Sequence, residues 1–583
     1  MTRAALKSGG TRETRTRRPW PTALAVVLLV IMAVGAAAGA GSGQAAERPL
    51  PPPAKPVPGL QAAAPPAQIA AGGGASSESD VALAMRPLAG PPRPPGPKPA
   101  IPRPTEAELI AAAGFQPDQV GYLVYDLDTG AYLGGHNATR AAFLPASVLK
   151  IPTTVAALAV LGPDHRFPTL VRFDGDRLGR DGLWTGTLAL VGGGDPVLDS
   201  EALRALVGAL KAAGLTRLEG RFVYDDSALV ATPALEPSQP AEHAYNPGLS
   251  ALSLDFNRIR VRWDGDRVRV VETHDTPPVA PVRLTRASDP AGWSRAGPPL
   301  RHAFPAPGTR DARGLVTEVW RLSPYAPERG AAWLPVKAPG PFVAAVFRAL
   351  AAEAGITLPE PEPAPGPARG PIVARHFSPP LSAIAANGLK YSNNLLAELL
   401  GLATTARLDG RPHDLAGSAA RLERWLAQTL PWVDWTGFRM ANHSGLSPDS
   451  RASPEQVVAL LRFAEDQGAA LAPRTYDALL PPRRFPDSDA TRLAAAVHAG
   501  DVTPRVWAKS GTMYHGRGLA GFARGASGHR LVFAVFTSDL AARRAFDAGY
   551  LHYAGGPVAR ARDALRRARD LEHALLLTWI TRH

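Results

Sequence analysis

The sequence predicts an α+β fold: an antiparallel sheet with flanking helices, interrupted by a large, mainly β insertion. Three observations predict it. A strand-like hairpin, Gly121–Leu127 with its return at Ala131–Gly134, lies near one end of the chain, and strand-like runs (505–509, Ala520–Arg524 and Leu531–Thr537) lie near the other, as if one sheet were built from both. Helical patterning dominates after residue 370. Between them, residues 166–369 read as short strands alternating with turns.

The elements follow in order. Residues 1–18 carry six basic side chains and one acid, residues 19–46 carry no charge, and Ala23–Val34 is strongly apolar. This is the pattern of a secretory signal peptide, and the uncharged run is also long enough to serve as a retained N-terminal membrane anchor. Export follows from either. Residues 47–104 hold 17 prolines and read as a disordered linker. Thr105-Glu106-Ala107-Glu108 starts a short helix, and a second helix runs from Ser147 to about Leu161. The insertion contains expected strands at Thr169–Phe173, Thr187–Val191, Arg221–Tyr224, Leu252–Leu254, Arg258–Trp263 and Val268–Val271, with one helix at Ser200–Ala213. A Pro-rich run up to Pro371 marks its end, so 105–165 and 370–583 form one expected domain around it. Helices are then expected at Pro380–Asn387, Ser392–Thr404, Leu415–Leu426 and Pro454–Ala464, and two more close the chain.

Composition excludes several chemistries. The 583 residues include no Cys, which removes thiol nucleophiles, cysteine-metal sites and disulfides. The 14 His show no ligand spacing, so no metal is expected. Gly516–Gly521 matches G-x-G-x-x-G but lies among strands rather than opening a helix, so neither a nucleotide cofactor nor a nucleic acid is expected. The formal net charge of +13 suits contact with polyanionic wall polymers or anionic membrane, or simply a solvated mixed-charge surface.

Three short runs carry chemistry. Ser147-Val148-Leu149-Lys150 places a hydroxyl and an amine at i and i+3 on one helix face. A buried, cation-flanked lysine has a depressed pKa and can take the serine proton. Only eight of the 64 basic residues are Lys, yet Lys stands here and at 509. Arg could not serve as a base. Ser392-Asn393-Asn394 offers a hydroxyl relay at Ser392 and an amide at Asn394 for Lys150 or for a substrate carbonyl. Lys509-Ser510-Gly511-Thr512 offers a point charge and a hydroxyl for a carboxylate, and a Cβ-free position at Gly511 for substrate to lie along the strand edge. The backbone N–H groups of Ser147 and Thr512 suit an oxyanion hole. Each run alone could be a helix cap or a turn. Together, in this order, they point to a serine acyltransferase.

With these runs the chain resembles the low-molecular-mass class C penicillin-binding proteins, the PBP4-like D-Ala-D-Ala carboxypeptidase/endopeptidase family (peptidase S13). Gly192-Gly193-Gly194-Asp195-Pro196, Tyr224-Asp225-Asp226-Ser227, Leu249–Ser253 with Asn257, Ser378–Leu381, Lys390–Glu398 and Ser444-Gly445-Leu446-Ser447 also resemble it. The resemblance covers about residues 105–583. It implies a serine β-lactamase/DD-peptidase-like fold, Ser147 as nucleophile, Lys150 as base, and Ser392, Asn394 and Lys509 completing the proton network. It also implies Ser510, Gly511 and Thr512 as substrate-binding residues, peptidoglycan stem peptides as substrates, β-lactams as inhibitors and an extracytoplasmic location in the cell wall or periplasm. No cofactor is implied. Ser510 stands where the family has Thr, and Asn442-His443 stands where it commonly has Asp-Gly. Glu242 occupies a segment where the family often carries an acidic reader of the stem-peptide amino group, and it is the candidate for that role. A β-lactamase or SxxK esterase, and a non-catalytic wall-binding protein, are the alternatives. The long interval between Lys150 and Ser392 opposes the first, and the retained Lys150 and Lys509 oppose the second.

Overall fold

The computed structural model describes residues 104–583 apart from 141, 179–180, 266, 272–281, 292, 296, 304–317, 473–474, 484–505, 550 and 554. The signal-or-anchor reading of 1–46, and all of the expected linker except Pro104, lie outside these residues. Among the described residues no helix is long and apolar enough to cross a membrane.

Both ends of the chain build one six-stranded antiparallel sheet. Its order is Pro482–Arg483, Val506–Met513, Gly516–Arg524, Arg530–Ser538, Val120–Asp126 and Tyr132–His136. Val120 pairs with Thr537 and Asp126 with Leu531, so the first long strand closes against the last. Val120–Asp126 is buried along its whole length and Gly516–Arg524 up to its last residue, because helices cover both faces. On one face Phe522, Val532 and Phe536 pack with Ile151, Val155, Ile384 and Leu461. On the other, Val120, Val124, Phe533 and Val535 pack with Leu571, Leu575 and Trp579 of the long C-terminal helix Gly555–Arg582. Each such fully buried aliphatic or aromatic side chain contributes roughly 1.5–3 kcal/mol of transfer free energy.

Thr105 caps the first helix, Glu106–Ala112, with a reciprocal Thr105–Glu108 capping box, as its sequence requires. Among the described residues, the interval between Lys150 and Ser392 holds a five-stranded sheet, ordered Pro361–Pro363, Arg217–Asp225, Leu183–Gly192, Pro168–Leu178 and Ile372–Phe377, and two three-stranded sheets. Ile372–Phe377 pairs antiparallel with Pro168–Leu178, which carries the insertion's sheet past the 369 boundary suggested by composition. Leu252–Leu254 is not a strand. The Ser250 hydroxyl takes the Leu252 N–H at 3.0 Å, and Asp255, Phe256 and Asn257 all adopt positive φ, so a local side-chain bond and a tight turn override the apolar run.

Candidate active site

The Ser147–Lys150 run sits on a tight turn. Ala146–Leu149 is a 3-10 turn leading directly into the α-helix Lys150–Leu161. Leu144, just before it, donates its N–H to Ser538 Oγ at 2.9 Å, which ties the turn to the central sheet. Ser147 is half-buried, and Lys150 is only 1% exposed. Lys150 Nζ donates to Ser147 Oγ at 3.0 Å, Asn394 Oδ1 at 2.8 Å and the Ser444 carbonyl at 2.7 Å. Burial pushes the Lys150 ammonium well below the usual lysine range, and the Lys509 cation adds to the push. The Glu398 carboxyl opposes it. A lysine so placed, hydrogen-bonded to a serine, has the geometry of a general base.

Ser392 does not start a helix as expected. It is the left-handed residue, φ 56°, that joins helix Leu381–Tyr391 to helix Asn394–Asp409. Asn393 caps the second helix by accepting the Leu396 N–H at 3.1 Å. A serine in this conformation is held by its surroundings rather than by its own preference. Its Oγ accepts from Lys509 Nζ at 2.9 Å, and Lys509 also donates to the Ser510 carbonyl at 2.7 Å. Lys509 is 2% exposed. Burial, followed by the charges of Arg483 and Arg517, lowers it to about 7. Asn394 uses its second amide atom elsewhere: Nδ2 donates to the Tyr245 carbonyl at 3.0 Å.

The strand carrying Lys509 runs from Val506 to Met513, so Lys509–Thr512 lie within it rather than at its end. Gly511 also has a packing reason that its position does not suggest. A Cβ there would lie 2.2 Å from the Pro145 carbonyl and 3.0 Å from Ser147 N, so only glycine lets this strand press against the Ser147 turn. Ser510 is half-buried and the Thr512 side chain is exposed.

Glu242 is half-buried and accepts a hydrogen bond from the Tyr553 hydroxyl. The neighbouring His243 ring stacks on Tyr245 at 4.9 Å and on Tyr553 at 6.0 Å. Through the Tyr245 carbonyl this segment touches Asn394, so the structure brings Glu242 to the same region by way of two intervening residues, not into contact with Ser147.

Sequence reasoning gave no role to three residues that contact these groups: Glu398, Ser444 and Arg517. Glu398 is fully buried, and its two carboxylate oxygens accept the backbone N–H groups of His443 and Ser444, both at 2.9 Å. That fixes the Ser444 residue whose carbonyl receives Lys150. The unusual Asn442-His443 pair is absorbed locally. Asn442 Oδ1 accepts from Gly445 N at 3.0 Å, and the His443 carbonyl accepts from Thr153 Oγ1 at 2.7 Å. Burial lowers His443 to about 3, which keeps it neutral. Arg517, inside the G-x-G-x-x-G run set aside above, donates to Thr512 Oγ1 at 2.8 Å. Glu398 and Ser444 stood within recognisable runs, but no sequence signal announces a carbonyl as an ammonium acceptor.

Comparison with known proteins bears on this geometry. The profile of the D-Ala-D-Ala carboxypeptidase 3 (S13) family matches residues 107–549. A D-alanyl-D-alanine carboxypeptidase of Actinomadura sp. (strain R39) is 29% identical over 437 residues, 71% of this chain and 77% of that protein. Carboxypeptidase DacB of Mycolicibacterium smegmatis is 26% identical over 462 residues, 76% of this chain and 82% of the relative. Among solved structures, penicillin binding protein 4 (dacB) of Haemophilus influenzae superposes with a TM-score of 0.59 at 19% identity, covering 74% of this chain and 93% of that one, which bears out the expected α+β fold.

Proposed function

We propose a mechanism for a chain that belongs to the D-Ala-D-Ala carboxypeptidase 3 (S13) family and is a serine-type DD-carboxypeptidase: Ser147 is acylated by the penultimate D-Ala of a peptidoglycan stem peptide and then released by water. One observation carries the reading. A fully buried lysine with a strongly depressed pKa lies 3.0 Å from the hydroxyl of a half-buried serine.

Neutral Lys150 takes the Ser147 proton as Oγ attacks the carbonyl carbon of the penultimate D-Ala. The tetrahedral oxyanion is stabilised by the backbone N–H groups of Ser147 and Thr512, whose turn and strand meet at Gly511. The C–N bond then breaks. The leaving D-Ala nitrogen takes its proton from the hydroxyl of Ser392, which is resupplied by Lys509, its partner at 2.9 Å. Lys509, Ser510 and Thr512 hold the terminal carboxylate. Once D-Ala has left, the proton that Lys150 took from Ser147 passes back to Lys509 and leaves Lys150 neutral; Lys150 then deprotonates the water that attacks the Ser147 ester, and it returns that proton to Ser147 Oγ as the ester C–O bond breaks. A cross-link in which D-Ala is the acyl donor enters by the same path, which gives endopeptidase action. A β-lactam acylates Ser147 through its strained amide, and its amine stays tethered, so the adduct persists. Such substrates place the work outside the cytoplasm.

The test is release of free D-Ala from an acylated peptide ending in D-Ala-D-Ala. The protein is expected to release it and the Ser147→Ala variant to release none. Comparable release by that variant would remove Ser147 from the mechanism.

A further inference from the structure

Arg517 lies directly opposite Thr512 across the antiparallel pair Val506–Met513 and Gly516–Arg524. Its Nη1 donates to Thr512 Oγ1 at 2.8 Å. Its Nε donates to Glu572 Oε2 at 2.8 Å, and Nη2 lies 2.8 Å from the same oxygen. Glu572 is 1% exposed and belongs to the C-terminal helix Gly555–Arg582, beyond the 107–549 stretch that the family profile matches. Arg517 itself is 8% exposed.

The direction of these bonds has a chemical consequence. A guanidinium can only donate, whereas a hydroxyl has one hydrogen to give and two lone pairs to accept with. The bond from Arg517 occupies a lone pair of Thr512 Oγ1 and leaves the threonine's own hydrogen for another acceptor. The Thr512 side chain is exposed, so the acceptor is whatever the site binds. Glu572 in turn fixes the fork of the guanidinium from behind. Apolar residues replace buried ion pairs elsewhere with little or no loss of stability, so folding alone does not require an Arg–Glu pair aimed at this strand. We propose that Arg517, held by Glu572, is a specificity-determining positioning residue that commits the Thr512 hydroxyl to donating toward an anion, the terminal carboxylate of the substrate.

The proposal rests on the DD-carboxypeptidase reading and goes beyond it by placing carboxylate selectivity partly in a residue pair that anchors the C-terminal helix. Arg517, with Arg483, also adds to the positive field that lowers Lys509. The anion's side of the site therefore has Lys509, Arg483 and Arg517 behind it, with the Glu572 carboxyl interacting with both arginines from the protein side.

The experiment measures kcat/KM for two peptides with the full chain: an acyl-D-Ala-D-Ala with a free carboxylate and its C-terminal amide. Arg517→Gln is expected to lower the carboxylate-to-amide ratio about tenfold or more, the scale of a charge-assisted hydrogen bond, chiefly through KM. Glu572→Gln is expected to lower it less. Arg517→Lys keeps a cation beside the buried carboxylate but loses the fork, so it should stay folded and still show a reduced ratio. In a Thr512→Val background, Arg517→Gln should change the ratio no further, because the hydroxyl it acts through is gone. Equal losses on both peptides, or an unchanged ratio, would overturn the proposal by reducing the pair to a structural tie. Wild-type protein whose serine takes no acyl adduct from penicillin would instead overturn the underlying reading. A labelled wild type with an unchanged ratio in Arg517→Gln overturns this inference alone.

Discussion

Lys150 Nζ donates to Asn394 Oδ1 at 2.8 Å across 244 residues of sequence. The neutral amide accepts this bond without adding a negative charge beside the base. Lys150 therefore keeps the low proton affinity that burial and Lys509 impose, and it is available as a neutral amine at a lower pH than an ordinary lysine. Asn394→Asp should reverse this. A carboxylate at the same distance favours the ammonium form, so the acid limb of the kcat/KM profile is expected to move to higher pH. In the proposed mechanism the alkaline limb belongs to Lys509. Its value is lowered to about 7, so its charge is present below that pH and is lost above it, and free-enzyme kcat/KM on a carboxylate-bearing peptide should fall as the pH rises through this region. A variant profile that superposes on the wild-type one would dissociate Asn394 from the base.

Lys150→Arg should be nearly as damaging as removal of the side chain. Arginine keeps the charge and reach but cannot give up its proton, so acylation should slow by roughly the 10²–10⁴-fold owed to general-base catalysis. The second-order rate of β-lactam labelling reads this directly. Retention of most of the rate would refute a lysine base.

Glu398→Ala should cost about 2–4 kcal/mol in a denaturant titration, because it strands the buried N–H groups of His443 and Ser444. Labelling should slow as well, since the Ser444 carbonyl that receives Lys150 loses its support. A variant as stable and as quickly labelled as wild type would contradict that role.

Glu242 and Tyr553 give a specificity test. If Glu242 reads a cationic group on the stem peptide, Glu242→Gln should lower the preference for free-amino over amidated stem peptides. Tyr553→Phe, which releases Glu242 from its hydroxyl partner, should raise it. Competition between the two peptides measures this, and no change in either variant removes Glu242 from substrate recognition.

The three runs that the structure brings together were legible because each holds its polar residues contiguously with fixed spacing. Ser147 to Lys150 spans one helical turn, and the Lys509 strand announces itself by its apolar flank. Partnerships between distant residues were not legible. Glu398 meets Ser444 only where a helix start and a loop converge, and Arg517 meets Glu572 only after the C-terminal helix packs on the sheet. Local geometry was the other gap. Ser392 looks like a helix start because Ser and Asn favour caps, yet the left-handed joint falls on Ser392 and the cap on Asn393. The packing of Gly511 against Pro145 and Ser147 was equally invisible, because those neighbours are distant in sequence.

Every step of the proposed chemistry passes through Ser147 as the acylated nucleophile. Intact mass of the purified protein after incubation with a penicillin, followed by mapping of the modified peptide, decides whether it is. One penicilloyl group per chain on Ser147 is the expected result. A folded protein that gains no mass, or gains it at another residue, would refute the assignment.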